Sequence, residues 1–384
     1  MKSLPYIPYG KQFIDEIDID AVTEVLQSDW LTTGPKVSEF ERAIADFVDA
    51  KYAVAVSSGT AALHCAMYAL NIKEGDEVLL PPMTFAATAN CIVFQKGTPV
   101  FIDVEPDTLL IDPGKVEEKI TKKTKAIVAV DYAGQPCDYD RLRIIADKYG
   151  LALISDGCHA LGAEYKKKKV GSLADMTVFS FHPVKHITTG EGGIVTTDNP
   201  EYEKRIKIFR NHGINMDSHQ RNAKGDWFYE MIDLGYNYRI TDIQCALGIS
   251  QLKKLHRYLI QRRRVAKLYD QAFAKTEIIM PIFVKKDVVH AYHLYVVQIH
   301  KDLDRSKVFE MLRQNNIGVN VHYIPVHLHP YYRKKYNTAT GMCPIAEDAF
   351  NHIISLPIFY ELTDDNVKKI SNCLMECIRI RKAK

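Results

Sequence analysis

The segment that decides the fold of this chain is Ser180-Phe-His-Pro-Val-Lys185-His-Ile-Thr-Thr-Gly-Glu-Gly-Gly193. It follows an apolar run at 176–179 that predicts a buried strand, and it leads into a second strand-like run at 193–197. A lysine held at the end of a strand can lose its proton through desolvation and form an imine with a carbonyl compound. Lys185 is therefore the candidate catalytic residue. A surface lysine in a β-turn is the alternative interpretation of this segment taken alone.

Length and composition restrict the class of protein. The chain has 384 residues, which exceeds one compact core of ordinary size and predicts two domains. Apolar residues make up 47% and charged residues 25%, as in a globular protein in water, and a net charge of +3 is too small to indicate nucleic acid as a partner. We expect no membrane span and no signal peptide, because neither a long apolar run nor an apolar N-terminal core is present. Eight cysteines without metal-ligand spacing indicate reduced thiols, a cytoplasmic location and no bound metal.

Strand and helix patterns alternate from Tyr52 onward. Short strands rich in Val, Ile and Leu are predicted at 53–56, 77–80, 99–102, 126–130 and 151–154. Helices are predicted between them near 61–70, 86–96, 113–120 and 138–149. Such repeated units indicate an α/β fold with a mostly parallel sheet covered on both faces. A long helix from Thr241 to about Phe273 leads into a smaller α+β segment with predicted strands at 293–299 and 318–322, so we divide the chain into a large domain, 1–255, and a small C-terminal domain, 256–384.

Polar segments follow several of the predicted strands. They are Ser58-Gly-Thr60, Thr84-Phe85, Asp131 to Gly134, Asp156 to His159, and Ser180 to Lys185. Ligands bind at the carboxyl ends of the strands in sheets of this kind, so we expect these segments to meet at one rim. Ser58 to Thr60 also opens a helix, whose free N–H groups favour an anion such as a phosphate, although an ordinary serine N-cap is the alternative.

The residue types at this rim suit an aromatic heterocycle that carries a phosphate. Asp156 could hold a protonated ring nitrogen, Phe85 could stack on the ring, and Lys185 could bind an aldehyde and afterwards move a proton. Pyridoxal 5′-phosphate is the cofactor that needs all of these groups. Singly, Asp156 could be a helix cap, Phe85 a core residue and His159 a satisfied polar group. Together they predict a pyridoxal phosphate site.

With these motifs the chain resembles the DegT/DnrJ/EryC1/StrS family of nucleotide-sugar aminotransferases. The similarity covers nearly the whole chain and includes 28–35, 58–60, 82–90, 156–162, 180–185 and 235–239. It implies the type I fold of pyridoxal phosphate enzymes, with a sheet of the seven-stranded type in the large, cofactor-binding domain. It also implies a homodimer whose active sites are shared between subunits.

The resemblance also implies roles for single residues. Lys185 would form the imine and move the proton, Asp156 would pair with the ring nitrogen, and His159 would lie by the ring hydroxyl. Phe85 would stack on the ring. The phosphate would contact Ser58, Gly59, Thr60 and Ser180, together with Asn237 from the other subunit. The substrate would contact Tyr9 (with Tyr6 as its rival), Asp29, Trp30, Leu31, Thr32, Gly59, Ser180, Asn237, Val321, His322, Tyr323 and Ile324.

Within the family, the segments 130–134, 159–162 and 321–325 resemble the branch that acts in pseudaminic acid biosynthesis. The implied reaction moves an amino group from L-glutamate to C4 of a UDP-4-keto-6-deoxy-N-acetylhexosamine. Two alternatives stay open. One is a sister UDP-4-keto-sugar aminotransferase that makes UDP-4-amino-arabinose or a D-configured 4-amino sugar. The other is a non-catalytic protein of the same fold that senses nucleotide sugars.

Overall fold

The computed structural model describes residues 5–216 and 227–382, and a seven-stranded sheet lies at its centre. The strands are β1 (Tyr52–Val56), β2 (Glu77–Leu80), β3 (Thr98–Phe101), β4 (Thr124–Val130), β5 (Ala152–Asp156), β6 (Glu164–Tyr165), β7 (Lys168–Lys169), β8 (Met176–Ser180), β9 (Gly193–Thr197), β10 (Ile279–Pro281), β11 (Val288–Val289), β12 (Tyr295–Ile299) and β13 (Ile353–Leu356). The central sheet has the order β1-β9-β8-β5-β4-β2-β3. Two further sheets have three strands each, in the orders β10-β12-β13 and β11-β6-β7.

The central sheet is parallel except at β9. This strand pairs antiparallel with both β1 and β8, whereas β8, β5, β4, β2 and β3 pair in parallel with one another. The inner strands are buried on both faces, as helices on the two sides of a parallel sheet require. The prediction of an α/β fold with a mostly parallel sheet is confirmed, and the carboxyl ends of β2, β4, β5 and β8 share one rim.

The helices predicted at 61–70, 86–96, 138–149 and 241–273 are present. The helices of the structure are α1 (Glu16–Leu26), α2 (Pro35–Val48), α3 (Gly59–Ala69), α4 (Ala86–Phe94), α5 (Tyr139–Tyr149), α6 (Pro200–Phe209), α7 (Asp242–Phe273), α8 (Arg305–Gln314), α9 (Pro330–Tyr336), α10 (Pro344–His352) and α11 (Asp364–Lys382). In the described part of the chain, no helix is long and apolar enough to cross a membrane.

The start of α7 organises two helices at once. Thr241 and Gln244 form a capping box, in which each side chain bonds the backbone N–H of the other residue. The next residue, Asp242, is fully buried and accepts hydrogen bonds from the N–H groups of Gly34 (2.7 Å) and Lys36 (2.9 Å). Gly34 has no side chain with which to cap α2, so Asp242 satisfies those donors from another helix.

Three groups of buried apolar side chains form the interior. The first surrounds the central sheet and extends to Val326 and Ile353, and the second joins α2 and β1 to the first half of α7. The third contains the second half of α7, from Val265 to Phe273, together with β12, α8, α11 and Ile7. The predicted division after residue 255 therefore falls inside one continuous helix, whose two halves pack in different cores. The division itself stays a prediction.

Two predicted elements are wrong. The helix predicted at 113–120 consists of two short 3₁₀ turns, Pro113–Lys115 and Glu117–Lys119, because the turn formers Asp112, Pro113 and Gly114 set its start. The strand predicted at 318–322 is extended chain with single bridges. Gly318 N–H donates to the carbonyl of Ile7 at 2.7 Å, and Asn320 bridges Ser355, so its backbone pairs on different sides instead of in one ladder.

Candidate active site

Asp156 ends β5 at the rim, and a threonine from the neighbouring unit holds its carboxylate. Thr88 Oγ1, in the first turn of α4, donates to Asp156 Oδ2 at 2.6 Å, and Thr84 Oγ1 lies 2.7 Å from Thr88 Oγ1. The N–H of Cys158 donates to Asp156 Oδ1 at 3.3 Å. Asp156 is only 6% exposed. A carboxylate that is buried and oriented in this way is suited to pair with a cationic ring nitrogen.

Lys185 lies in a tight turn directly after β8. Its backbone N–H donates to the carbonyl of His182 at 2.9 Å, and the hydroxyl of Thr188 and the N–H of Thr189 both return to the carbonyl of Phe181 at 3.0 Å. The side chain is half-buried. Desolvation lowers the pKa of the Lys185 ammonium, while Cys158 and Asp156 oppose this change. A lowered pKa favours the neutral amine, which is the nucleophilic form of lysine.

Two glycines, Gly59 and Gly193, allow close backbone packing between the start of α3, the end of β8 and the start of β9, and we call this place the cradle. A Cβ added to Gly59 would lie 2.8 Å from Ser180 Cβ, and one added to Gly193 would lie 2.3 Å from the carbonyl oxygen of Ser58. Ser58 Oγ accepts the N–H of Ala61 at 3.1 Å, so the serine N-cap that the sequence analysis named as the alternative is present. The N–H groups of Gly59 and Thr60 open the helix and remain suited to an anion at the rim.

Phe85, His159 and Tyr323 meet above this rim. Tyr323 Oη lies 3.0 Å from His159 Nε2, and the two rings stack with centroids 6.0 Å apart. The Phe85 ring lies 6.1 Å from the Tyr323 ring and is 62% exposed. An aromatic ring that is exposed at the mouth of a site can stack on a planar ligand, as predicted for Phe85.

His159 carries a polar atom that the protein leaves unpaired. The residue is 6% exposed, and its Nδ1 is buried without a hydrogen-bond partner in the described residues. Burial, and then the charge of Lys185, lower the pKa of the imidazole well below 6.5, so the ring is neutral. A buried nitrogen without a partner costs free energy unless a bound group satisfies it. Together with Asp156, Lys185 and the cradle at Gly59, this atom fits a phosphorylated pyridine ring with an oxygen substituent.

The segment 321–324 crosses the rim from the C-terminal part of the chain. Tyr132, which follows β4, donates its hydroxyl to the carbonyl of His322, and His322 Nδ1 lies 2.8 Å from Ser355 Oγ. Tyr9 joins this segment because its ring lies 5.7 Å from that of His322. Tyr6, its rival, is more than half exposed and contacts Arg313 on α8. Tyr9 therefore lies beside the segment 321–324, whereas Tyr6 lies by α8, and the choice between them as a substrate contact stays a prediction.

The remaining predicted residues lie at the surface of one chain. Asn237 is exposed and bridges Asn211 through its backbone. The segment 29–32 is exposed and is tied to the start of α7, where Thr32 bridges Thr241. Among the described residues, no hydrogen bond joins Asn237, Asp29 or Thr32 to Lys185. The predicted role of Asn237 depends on a second subunit, and the roles of Asn237 and of residues 29–32 stay predictions.

Three residues that the sequence analysis did not identify, Thr88, Arg262 and His293, contact the residues or loops around the site. Arg262 is buried, and its guanidinium donates to the carbonyls of Tyr292, His293 and Ile358. The ring of His293 lies 4.3 Å from that of His159. Thr88 carried a weak sequence signal, since Thr84 and Thr88 are four residues apart at a helix start. Arg262 and His293 carried no such sequence signal.

The described residues contain no group of His, Cys, Asp and Glu that could hold a metal ion.

The fold and the site define a pyridoxal-phosphate-dependent aminotransferase of fold type I. The chain belongs to the DegT/DnrJ/EryC1/StrS aminotransferase family, whose model matches residues 12–375. It is 45% identical over 377 residues to an uncharacterized protein of Methanocaldococcus jannaschii, covering 97% of this chain and 98% of that one. It is 40% identical over 379 residues to the spore coat polysaccharide biosynthesis protein SpsC of Bacillus subtilis, covering 97% of each.

Solved structures agree with this assignment. The aminotransferase PseC of Helicobacter pylori, involved in the biosynthesis of pseudoaminic acid, has a TM-score of 0.90 at 34% identity, covering 97% of this chain and 99% of that one. The PMP form of the putative sugar aminotransferase Spr1654 of Streptococcus pneumoniae has a TM-score of 0.92 at 34% identity, covering 97% and 98%. The predicted fold class, enzyme class and cofactor are confirmed at the level of the family, which disfavours the non-catalytic alternative.

Proposed function

We propose that this enzyme transfers an amino group from L-glutamate to C4 of UDP-2-acetamido-2,6-dideoxy-β-L-arabino-hex-4-ulose. The product is UDP-4-amino-4,6-dideoxy-N-acetyl-β-L-altrosamine, a precursor of pseudaminic acid. The observation that carries the proposed aminotransfer chemistry is the meeting of Lys185, the Thr88–Asp156 pair and the His159–Tyr323 pair at one rim. The similarity to PseC supports the choice of sugar.

Each group at the rim has a distinct task in this reaction. Pyridoxal phosphate, when bound, supplies an electron sink for the bonds at the reacting carbon. Asp156 holds the ring nitrogen protonated, and Thr88 fixes the carboxylate for that purpose. Lys185 Nζ takes a proton from the α carbon of the amino donor and later delivers one to C4 of the sugar. The phosphate is held by Ser58, Gly59, Thr60 and Ser180.

We propose that the enzyme works as a cytoplasmic homodimer. Large apolar side chains are exposed along one segment of the chain, namely Trp227, Met231, Ile232 and Leu234. An exposed apolar stretch of this kind is typical of a surface that a partner covers. Asn237 follows it directly and would reach the phosphate of the partner's site. Residues 29–32 and 321–324, with Tyr9, would contact the UDP-sugar.

A sister reaction is the second candidate. The identity to SpsC, a spore coat polysaccharide protein, is 40%, compared with 34% to PseC. Similarity to a protein of another polysaccharide pathway keeps a sister 4-keto-sugar aminotransferase open, one that makes UDP-4-amino-arabinose or a D-configured 4-amino sugar. Both candidates require the same residues at the rim.

The chemistry is tested with Lys185→Ala. Borohydride should fix pyridoxal phosphate covalently to the wild-type chain, and neither this fixation nor turnover should remain in the variant, because Lys185 supplies the only amine assigned to the cofactor. Mass spectrometry of the reduced protein and an amine-formation assay measure the two effects. The matched control is Lys285→Ala, which removes a lysine paired with Glu105 and should keep both. Turnover that survives in Lys185→Ala would refute the assigned role.

The substrate is tested with a panel of UDP-4-keto sugars. The enzyme, loaded with pyridoxal phosphate and supplied with L-glutamate, should aminate the β-L-arabino-configured 6-deoxy-N-acetyl sugar with the highest kcat/KM. A preference for the precursor of UDP-4-amino-arabinose or for a D-configured 4-keto sugar would replace the proposed substrate with the sister reaction. Product formation is followed by mass spectrometry, and the configuration at C4 by NMR.

A further inference from the structure

The hydrogen bond between Tyr323 and His159 connects two distant parts of the chain. His159 follows β5, and Tyr323 belongs to the segment 321–324, yet Tyr323 Oη and His159 Nε2 are 3.0 Å apart. The His159 ring contacts two further rings, that of Tyr323 with an interplanar angle of 21° and that of His293 with centroids 4.3 Å apart. Its Nδ1 is buried and has no partner among the described residues. The hydrogen bond and the ring contacts therefore fix the His159 ring, and its Nδ1 remains able to bond a ligand.

The protonation states of the pair are restricted by burial. Desolvation lowers the pKa of His159 well below 6.5 and raises the pKa of Tyr323 well above 10, so both side chains are neutral. A neutral imidazole has one N–H and one lone pair. If Tyr323 donates to Nε2, the N–H must lie on Nδ1, and if Tyr323 accepts from Nε2, the lone pair lies on Nδ1. The direction of this one hydrogen bond decides what His159 offers to the site.

The chemistry of the cofactor selects one direction, and this step depends on the proposed function. The ring oxygen of pyridoxal phosphate beside the lysine nitrogen is a phenolate when the cofactor is bound, and a phenolate can only accept hydrogen bonds. We propose that Tyr323 is a positioning residue that donates to Nε2 and thereby holds His159 as the Nδ1–H tautomer, so that Nδ1 donates to this oxygen. Tyr323 thus acts on the cofactor through His159.

The position of Tyr323 is itself determined by its neighbours. Tyr132 donates to the carbonyl of His322, His322 Nδ1 lies 2.8 Å from Ser355 Oγ, and Asn320 Nδ2 lies 3.3 Å from His322 Nε2. The titratable groups whose charges act on His159 come from two segments, namely Lys185 and His186 from the turn after β8 and His322 from the segment 321–324. All three lower the pKa of His159 when charged, so they favour the neutral ring and leave the choice of tautomer to Tyr323.

The tautomer is measured by ¹⁵N NMR of the full-length chain with labelled histidine, with and without pyridoxal phosphate. His159→Gln identifies the His159 signals by their loss. Without pyridoxal phosphate, the wild-type protein should show a protonated Nδ1, and Tyr323→Phe should show the Nε2–H form. A protonated Nε2 in the wild-type protein, or the same tautomer in Tyr323→Phe, would overturn the proposal. This result does not depend on turnover, so it separates the proposal from the proposed function, which fails if the chain takes up no cofactor.

A spectroscopic titration of the loaded enzyme tests the consequence. Loss of the donor should raise the pKa read from the cofactor absorbance by on the order of one pH unit in Tyr323→Phe, because the phenolate then holds the proton shared with Lys185 more tightly. Tyr295→Phe is the matched control, since it removes a buried hydroxyl that bonds Asp270 elsewhere.

A second background separates the tautomer from any direct contact of Tyr323 with the sugar. The glutamine amide of His159→Gln keeps its N–H whatever lies opposite. Tyr323→Phe should therefore leave the cofactor pKa unchanged in a His159→Gln enzyme. An equal shift in both backgrounds would show that Tyr323 acts independently of His159 and would contradict the proposal.

Discussion

At the scale of single residues, the site depends on hydrogen bonds between side chains that are far apart in sequence. Asp156 was predicted from its place after a strand, but Thr88, which holds its carboxylate, lies 68 positions earlier. The partner of His159 lies 164 positions later. Residue type and strand position therefore predict which groups reach the rim, whereas the neighbours that orient them depend on packing between distant elements.

Thr88→Val tests the support of Asp156. Valine keeps the shape of threonine and removes the hydroxyl, so a buried carboxylate oxygen loses its donor, at a cost of about 1–3 kcal/mol in unfolding free energy. Urea unfolding of the cofactor-free protein measures this loss, and affinity for pyridoxal phosphate should fall as well. Thr88→Ser keeps the hydroxyl and should stay close to the wild type. Equal stability of the valine and serine variants would show that the 2.6 Å contact contributes little.

At the scale of secondary-structure elements, most boundaries could be predicted because they depend on local patterns. The capping box at Thr241 and the Val/Ile/Leu-rich strands are examples. The helix predicted at 113–120 is broken by local turn formers, whereas the other failure lies where the partner of the backbone is remote. Residues 318–322 have the pattern of a strand, yet the N-terminal segment at Ile7 and Ser355 of β13 take its hydrogen bonds on separate sides. The same holds for Arg262, whose carbonyl partners come from two loops.

Asp242→Ala tests the shared start of α2 and α7. The substitution leaves the N–H groups of Gly34 and Lys36 without an acceptor at the buried end of α2, and we expect a loss of about 2 kcal/mol in unfolding free energy. Thr241→Ala removes only the cap of α7 and should cost about 1 kcal/mol. Urea midpoints compare the two variants. A larger loss in Thr241→Ala than in Asp242→Ala would contradict the idea that Asp242 serves both helices.

At the scale of the whole molecule, buried histidines couple stability to pH. Burial lowers the pKa of His64 to about 4 and those of His290 and His322 to about 3, and it also lowers the pKa values of His159, His186 and His293. The sequence does not predict these lowered pKa values, because histidine occurs in both buried and exposed positions and its residue type does not tell them apart. Only the fold shows that so many of them lie inside.

These histidines predict that stability falls as the pH drops below about 6.5. In that range the unfolded chain binds protons that the folded protein excludes, so the unfolding free energy decreases with falling pH until the folded pKa values are reached. Each histidine contributes a slope of up to about 1.4 kcal/mol per pH unit. Urea unfolding at several pH values between about 4 and 7 measures the slope, and His64→Gln should reduce it by one such contribution. A stability that is flat across this range would contradict the prediction.

The contact between Gly193 and Ser58 has a consequence for the evolution of such enzymes. A side chain at position 193 would meet backbone atoms 2.3 to 2.7 Å away, so the strand that follows the lysine turn and the helix that begins the anion cradle cannot drift apart independently. A lineage that replaced this glycine would have to rebuild both segments together. Position 193 should therefore accept only glycine unless both segments change at the same time. In a saturation library selected for aminotransfer, we expect glycine alone to persist there.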